Sequence, residues 1–139
     1  MHRIRRGRRA STHLEFALTF PVYVVVLFGI VDGGWLYYQQ ASLDGATRTA
    51  CRGGTTVDPG TNSVNIQNVY DYVIDQVPLE LDEMGVDSTN LSVTATTTGA
   101  PPTRTLICTT QQPFSALTRF VLPDMTLTSV TAMRMEYQR

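Results

Sequence analysis

The sequence predicts an α+β fold in which a long N-terminal α-helix carries a small domain with a second helix and a roughly three-stranded antiparallel sheet. Three observations predict it. An eighteen-residue apolar run at 14–31 leads directly into a segment with amphipathic helical spacing. A second helical pattern follows a loop that contains glycine and proline. The C-terminal part alternates apolar and polar residues, which is typical of strands.

The apolar run at 14–31 predicts a membrane-spanning helix. Its eighteen residues reach about 27 Å as a helix, close to the hydrocarbon thickness of a bilayer. Trp35 and two tyrosines follow it, as interfacial aromatic residues do. Five arginines precede the run, whereas all twelve acidic residues lie at or after Glu15. This asymmetry predicts a cytoplasmic N-terminus and an exported C-terminal domain.

Three residues within and just after the run predict features of helix shape and packing. Pro21 removes a backbone hydrogen bond and predicts a kink. Gly29 and Gly33 form a G-x-x-x-G pair that allows close approach of a second helix. The alternative is that glycine is simply common in membrane helices, and we give the two interpretations equal weight.

The helix is expected to continue beyond the membrane. An apolar stripe at helical spacing favours packing against a domain, and its members are Leu36, Leu43, Ala46 and Ala50. Gly53 and Gly54 predict the end of the helix. The predicted organisation is therefore a basic leader at 1–10, a long helix at 11–54 and an extracytoplasmic α+β domain at 55–139.

The exported domain is predicted to begin with a helix from about 65 to 77, ended or bent by Pro78 and followed by an acidic turn. Alternating apolar and polar residues then predict strands. The predicted strands are 91–96, 103–110 and 125–137, with one or two helical turns at 113–122 and a bulge midway along the last strand.

The sequence contains few side chains of the kinds that catalyse reactions or bind metals. The only histidines, His2 and His13, lie in or beside the leader, so we expect no enzyme, cofactor, metal site or small-molecule substrate. The arginine cluster favours a topology signal over nucleic-acid binding. Cys51 and Cys108 lie on the oxidising side, where pairing is chemically allowed. Either could instead be a small buried residue, and we favour a disulfide.

Glu15 is the residue that a simple anchor explains least well. A carboxylate costs a few kcal/mol at the centre of a bilayer and is usually paired. One interpretation is that it reaches the cytoplasmic headgroups. The other is a charge partner in the membrane plane, for which an N-terminal amine created by upstream cleavage is the right group.

These residues resemble a known family, the TadE-like pilin-related proteins of the tight-adherence (Tad) system, a branch of the type IV pilin-like proteins. The strongest likeness is the order of 15–18, Pro21 and 29–33, followed by the helix at 36–54. The segments 113–122 and 127–136 resemble the family's C-terminal part more weakly. The resemblance implies a pilin-like fold and a structural role.

The resemblance also implies that a prepilin peptidase removes the leader and leaves glutamate at the fifth mature position. Counting back from Glu15 puts the cut between Ala10 and Ser11. The family usually has glycine before the cut, where this chain has alanine. Gly7 offers that residue, but a cut after it would make Glu15 the eighth residue. The other alternative is no cleavage.

The function implied by the resemblance is that of a minor pilin or pseudopilin in the bacterial inner membrane, a structural subunit of a Tad-type pilus or secretion apparatus. Its partners would be the membrane, the peptidase and other pilin-like subunits or an assembly platform, with a surface filament and cell adhesion as the end point. Glu15 would pair with the new amine of Ser11. The alternative is a permanently anchored single-pass envelope protein whose outer domain binds a partner.

Overall fold

The computed structural model describes residues 7–57, 63–100, 103–118 and 122–135. These residues form two helices and three strands, in the order α1 (Gly7–Thr56), α2 (Ser63–Glu83), β1 (Ser92–Thr98), β2 (Thr105–Phe114) and β3 (Met125–Arg134). The strands form one antiparallel sheet in the order β1-β2-β3. The predicted α+β fold class is confirmed.

Helix α1 has two halves in different surroundings. It is continuous over 50 residues, about 75 Å, and passes through Pro21. From His13 to Val31 its side chains are almost all exposed. From Asp32 onward a buried stripe faces the rest of the domain, with Leu43, Ala46 and Ala50 fully buried, as their spacing predicted. The C-terminal half of α1 is thus part of the domain core.

Gly53 and Gly54 do not end α1, so that expectation was wrong. The helix continues to Thr56, and the glycines instead let other elements approach it. A Cβ on Gly54 would lie 2.7 Å from Cγ2 of Val73 on α2 and 3.0 Å from Cδ2 of Leu106 on β2. The loop was predicted at 55–63, but Thr55 and Thr56 belong to α1 and Ser63 begins α2. Residues 58–62 lie outside the described residues.

Helix α2 is longer than its pattern predicted, because Pro78 does not end it. The helix continues to Glu83, so 79–83 is helical rather than part of an acidic turn. Leu81 and Val77 are both fully buried, one helical turn apart. The proline costs the hydrogen bond to the carbonyl of Ile74, but Ile74 lies on the exposed side, where water can replace it.

The sheet differs from prediction around the β2–β3 connection. Strand β2 extends through Pro113 to Phe114, and residues 115–118 are not helical. Residues 119–121 lie outside the described residues, as does the predicted end of the last strand at 136–137. Pairing of β2 with β3 runs without interruption from Thr105↔Arg134 to Phe114↔Met125, so the expected bulge is absent. The inward-facing positions of β3 are the odd-numbered ones throughout.

Contacts along α1 fix the direction of each neighbour. The Gln40 side chain donates to the carbonyl of Thr128 near the start of β3, whereas Cys51 Sγ lies 3.7 Å from the carbonyl of Thr131. Strand β3 therefore runs in the same sense as α1. The start of β3 and the end of β2 consequently lie at the end of the domain nearest the exposed half of α1.

Candidate membrane and assembly interface

The exposed half of α1 is apolar on all sides. Among the described residues, one helix is long and apolar enough to cross a membrane; its best window has a mean hydropathy of 2.2 and is not buried by the domain. A signal sequence has the same length and composition. Consecutive large side chains around the helix are exposed, including Tyr23, Val25, Val26 and Leu27. Because no single stripe is covered, this half has the surface of a lipid-embedded helix and indicates membrane anchoring.

Asp32 marks the point where α1 enters the domain. It directly follows the apolar run, and its side chain is fully buried. The backbone N–H of Thr118 donates to Oδ1 at 3.0 Å, and the Thr118 hydroxyl donates to Oδ2 at 2.5 Å. Hydrogen bonds to both oxygens offset the cost of burying a carboxylate. Asp32 thereby fastens the β2–β3 connection to α1.

Aromatic residues surround the helix just beyond Asp32. The rings of Trp35 and Tyr38 stack with centroids 5.7 Å apart. The Tyr38 hydroxyl donates to the carbonyl of Met84 at the end of α2, and Tyr37 is largely exposed. Aromatic rings with polar groups prefer the boundary between hydrocarbon and water. These side chains suit the membrane–water boundary at the C-terminal end of the span.

One face of α1 at this level is open. A Cβ placed on Gly33 would meet no atom within 4 Å. Beside it lies a shallow apolar groove of about 330 Å³ between α1 and the start of β3, lined by Gly33, Leu36, Tyr37, Gln40, Met125 and Leu127. Gly29, the other member of the predicted packing pair, lies one turn earlier on α1 and is partly exposed.

The domain is joined to α1 by two buried connections. The structure pairs Cys51 with Cys108 in a disulfide that links α1 to the central strand, with Cα atoms 6.0 Å apart. One turn closer to the N-terminus of α1, the hydroxyls of Thr47 and Thr110 lie 2.6 Å apart, and Thr47 also donates to the carbonyl of Leu43. The first link is covalent, and the second satisfies two hydroxyls that are otherwise costly to bury.

The residues predicted to act in processing lie in the first turns of α1. Glu15 lies in the exposed half, where its backbone carbonyl accepts a hydrogen bond from Thr19 Oγ1 at 2.9 Å. Ala10 and Ser11 are helical in the full-length chain. The predicted scissile bond is therefore in helical conformation, and a peptidase that binds extended substrate would have to unwind this turn.

A polar cavity of about 540 Å³ lies on the other side of the β2–β3 connection. Asp87 and Asp124 border it, as does Gln112, whose side chain is almost fully buried. The hydroxyl and backbone N–H of Thr89 both donate to Asp87, and these hydrogen bonds hold the pKa of Asp87 below its usual value.

Within the described ranges, no three His, Cys, Asp or Glu side chains come together as a metal site would need.

Sequence reasoning missed Asp32 as an important residue. The sequence places Asp32 within the 29–33 segment of the family resemblance but gives no sign that Thr118, 86 residues away, supplies two donors to it. The available signal was a single acidic residue directly after a span, at a position where α1 stays helical. Such a residue must be either hydrated or paired, and the structure shows that it is paired.

Comparison with known proteins gives one match. Residues 11–52 match the family model described as TadE-like protein. This range covers less than a third of the chain and includes Glu15, Pro21 and Asp32. No match was found among curated proteins or among solved structures. The TadE-like resemblance of the N-terminal helix is confirmed, and it indicates a pilin-like protein associated with a Tad pilus.

Proposed function

Starting from a TadE-like N-terminal helix, we propose that this chain is a structural subunit, a minor pilin or pseudopilin, of a Tad-type pilus or secretion apparatus. It is inserted in the bacterial inner membrane with its N-terminus in the cytoplasm and its sheet domain outside. The observation that carries the proposal is the coincidence of the family match at 11–52 with a helix that is exposed before Asp32 and buried in a domain after it.

Processing is the first step of the proposed role. A prepilin peptidase cuts between Ala10 and Ser11 and removes the basic leader. This position makes Glu15 the fifth mature residue, whereas a cut after Gly7 would make it the eighth. Cleavage creates an ammonium group at Ser11, and Glu15, at the fifth mature position, lies one helical turn away. An ammonium–carboxylate pair in the membrane lowers the cost of burying both charges.

Assembly is the second step. The processed helix packs beside those of other pilin-like subunits, with Gly29 and Gly33 allowing close approach. The open space around Gly33 and the apolar groove next to it support a contact on this face. The sheet domain, held to α1 by the Cys51–Cys108 disulfide, is carried with the helix into the assembly or filament.

A second candidate is a permanently anchored envelope protein that keeps its leader and binds a partner through the outer domain. The observation that favours it is the unbroken helix from Gly7 through the predicted cut. In that case Ala10 and Ser11 remain joined, and the arginines serve only to orient the span.

Intact mass and shearing separate the two candidates. The chain is expressed with its cognate peptidase, and a mature mass that begins at Ser11 is expected; a mass that begins at Met1 contradicts processing. Glu15→Gln, which removes the charge and keeps the shape, is expected to reduce the amount in sheared surface material. Tyr23→Phe, which removes an exposed polar group in the same half of α1, is the matched control and should leave that amount unchanged.

A further inference from the structure

In the membrane-anchored arrangement proposed above, the segment 115–118 at the start of the β2–β3 connection lies at the level where α1 leaves the membrane. The apolar run ends at Val31, and Asp32 is the next residue, about 1.5 Å further along the helix axis. Thr118 is bound to Asp32 through both its backbone N–H and its hydroxyl. The interfacial layer of a bilayer extends roughly 5–7 Å beyond the hydrocarbon on each side. The Asp32–Thr118 contact therefore lies within that layer.

Among the described residues of this connection, Leu117 is the exposed large apolar one. Its neighbour Ala116 is buried against the core, whereas Leu117 has 61% of its surface exposed. Thr118 is tied to α1 on the other side, so Leu117 is held between two fixed points. An apolar side chain held outward at this level is costly in water and favourable in the membrane interface.

We propose that the segment 115–118, at the start of the β2–β3 connection, is a second membrane-contacting element, in which Leu117 enters the interface of the bilayer at the C-terminal end of the α1 span. Asp32 is its positioning residue, because its two hydrogen bonds set the depth of the connection. The proposal rests on the membrane anchoring in the proposed function. It commits to lipid because Thr118, the neighbour of Leu117, is hydrogen-bonded to Asp32, the residue that directly follows the exposed apolar run of α1.

The charged residues near this connection decide which lipid composition the test should use. Asp124 and Asp87 border the cavity on its far side, and no basic residue lines that cavity. Arg119 directly follows Thr118 in the sequence, so a zwitterionic surface is needed to measure the apolar contribution of Leu117 without attraction to anionic headgroups. Vesicles of zwitterionic phosphatidylcholine are accordingly the probe for the test.

The test is a depth measurement on the full chain in phosphatidylcholine proteoliposomes. Leu117→Cys is labelled with an environment-sensitive fluorophore, and quenching by lipids with a spin label at the headgroup or in the acyl chain is measured. Both native cysteines are in the disulfide, so the introduced thiol is the reactive one. Val26→Cys, in the exposed half of α1, is the control probe expected within the hydrocarbon of the bilayer. Val130→Cys, 63% exposed on β3 near the level of Cys51, is the control probe expected in water, outside the bilayer.

The expected result is strong headgroup-level quenching at 117, deep quenching at 26 and none at 130. Quenching at 26 but not at 117 overturns this proposal and leaves membrane anchoring intact, whereas no quenching at 26 overturns the anchoring itself. A probe at 117 that is shielded from water only at high protein density, without lipid quenching, assigns the surface to a neighbouring subunit and also overturns the proposal.

The role of Asp32 is tested in the Leu117→Cys background. Thr118→Val removes the donor to Oδ2 and retains the backbone donor to Oδ1, and Asp32→Ala removes both acceptors. Headgroup quenching at 117 should fall in the first variant and be lost in the second, while quenching at 26 stays constant. Unchanged quenching at 117 in Asp32→Ala, with the sheet domain still folded by circular dichroism, overturns the positioning role.

Discussion

Alanine at Gly54 is expected to destabilise the domain even though glycine is a poor residue for a helix interior. The added Cβ would lie 2.7 Å from Cγ2 of Val73 and 3.0 Å from Cδ2 of Leu106, and both of these residues are fully buried. Valine in a helix has essentially one rotamer, so Val73 cannot turn its methyl away. The helix or the sheet has to shift instead.

The magnitude follows from two opposing effects. Replacing glycine by alanine in a helix gains about 1 kcal/mol, and overpacking a dense core costs about 1–3 kcal/mol. The net change for Gly54→Ala is therefore between zero and about 2 kcal/mol of lost stability. Gly45→Ala is the matched control, because its Cβ would lie 3.5 Å from the end of the Met84 side chain, an ordinary contact. The control should gain about 1 kcal/mol.

The assay is thermal unfolding of the full chain in detergent, followed by near-ultraviolet circular dichroism of the sheet domain. A difference of 1 kcal/mol moves the midpoint by about 4–8 °C in a domain of this size, so the two variants should differ by at least that amount. If Gly54→Ala raises the midpoint as much as Gly45→Ala does, the close approach of α1, α2 and β2 at this glycine is refuted.

Two further predictions concern the links between α1 and the sheet. Reduction of the disulfide, whose cysteines are 57 residues apart, should lower the free energy of unfolding by about 4 kcal/mol, measured by urea unfolding with and without reductant; equal midpoints would contradict it. Thr47→Val leaves the buried Thr110 hydroxyl without its cross-element partner and should cost about 1–3 kcal/mol, whereas the double variant with Thr110→Val should recover part of that loss, which a double-mutant cycle measures.

The sequence predicts well those elements whose pattern has one physical cause. The run at 14–31 is apolar on all sides, as a membrane span requires, and the alternation around Ala95 and Leu127 follows from the one buried face of each strand. The structure has a helix and strands at these positions, as expected. The predictions at Pro78 and Pro113 were wrong because both assumed that a proline interrupts the element it lies in, whereas the surrounding structure tolerates each one. At Pro78, burial of Leu81 holds the helix together beyond the proline. Pro113 lies beyond Gln111, where β1 stops pairing with β2, so its missing N–H costs no bond to β1.

The sequence predicted those parts of the candidate interface whose residues all lie in one continuous segment of the chain. Glu15 was identified because a carboxylate is unusual in an apolar run, and Gly29 and Gly33 because their spacing within and just after that run forms a G-x-x-x-G pair. The partnership of Asp32 with Thr118 joins positions that only the folded sheet brings together, and so does the groove beside Gly33. Nothing in the spacing along the chain carries that information.

The disulfide between Cys51 and the central strand has a mechanical consequence. Because β3 runs alongside α1 in the same sense, a pull along the helix axis loads the contacts between helix and sheet in shear rather than peeling them apart one by one. Non-covalent contacts such as Asp32–Thr118 can slip under such tension. The covalent link at the far end cannot, so the helix cannot be drawn out of its domain while the bond is oxidised.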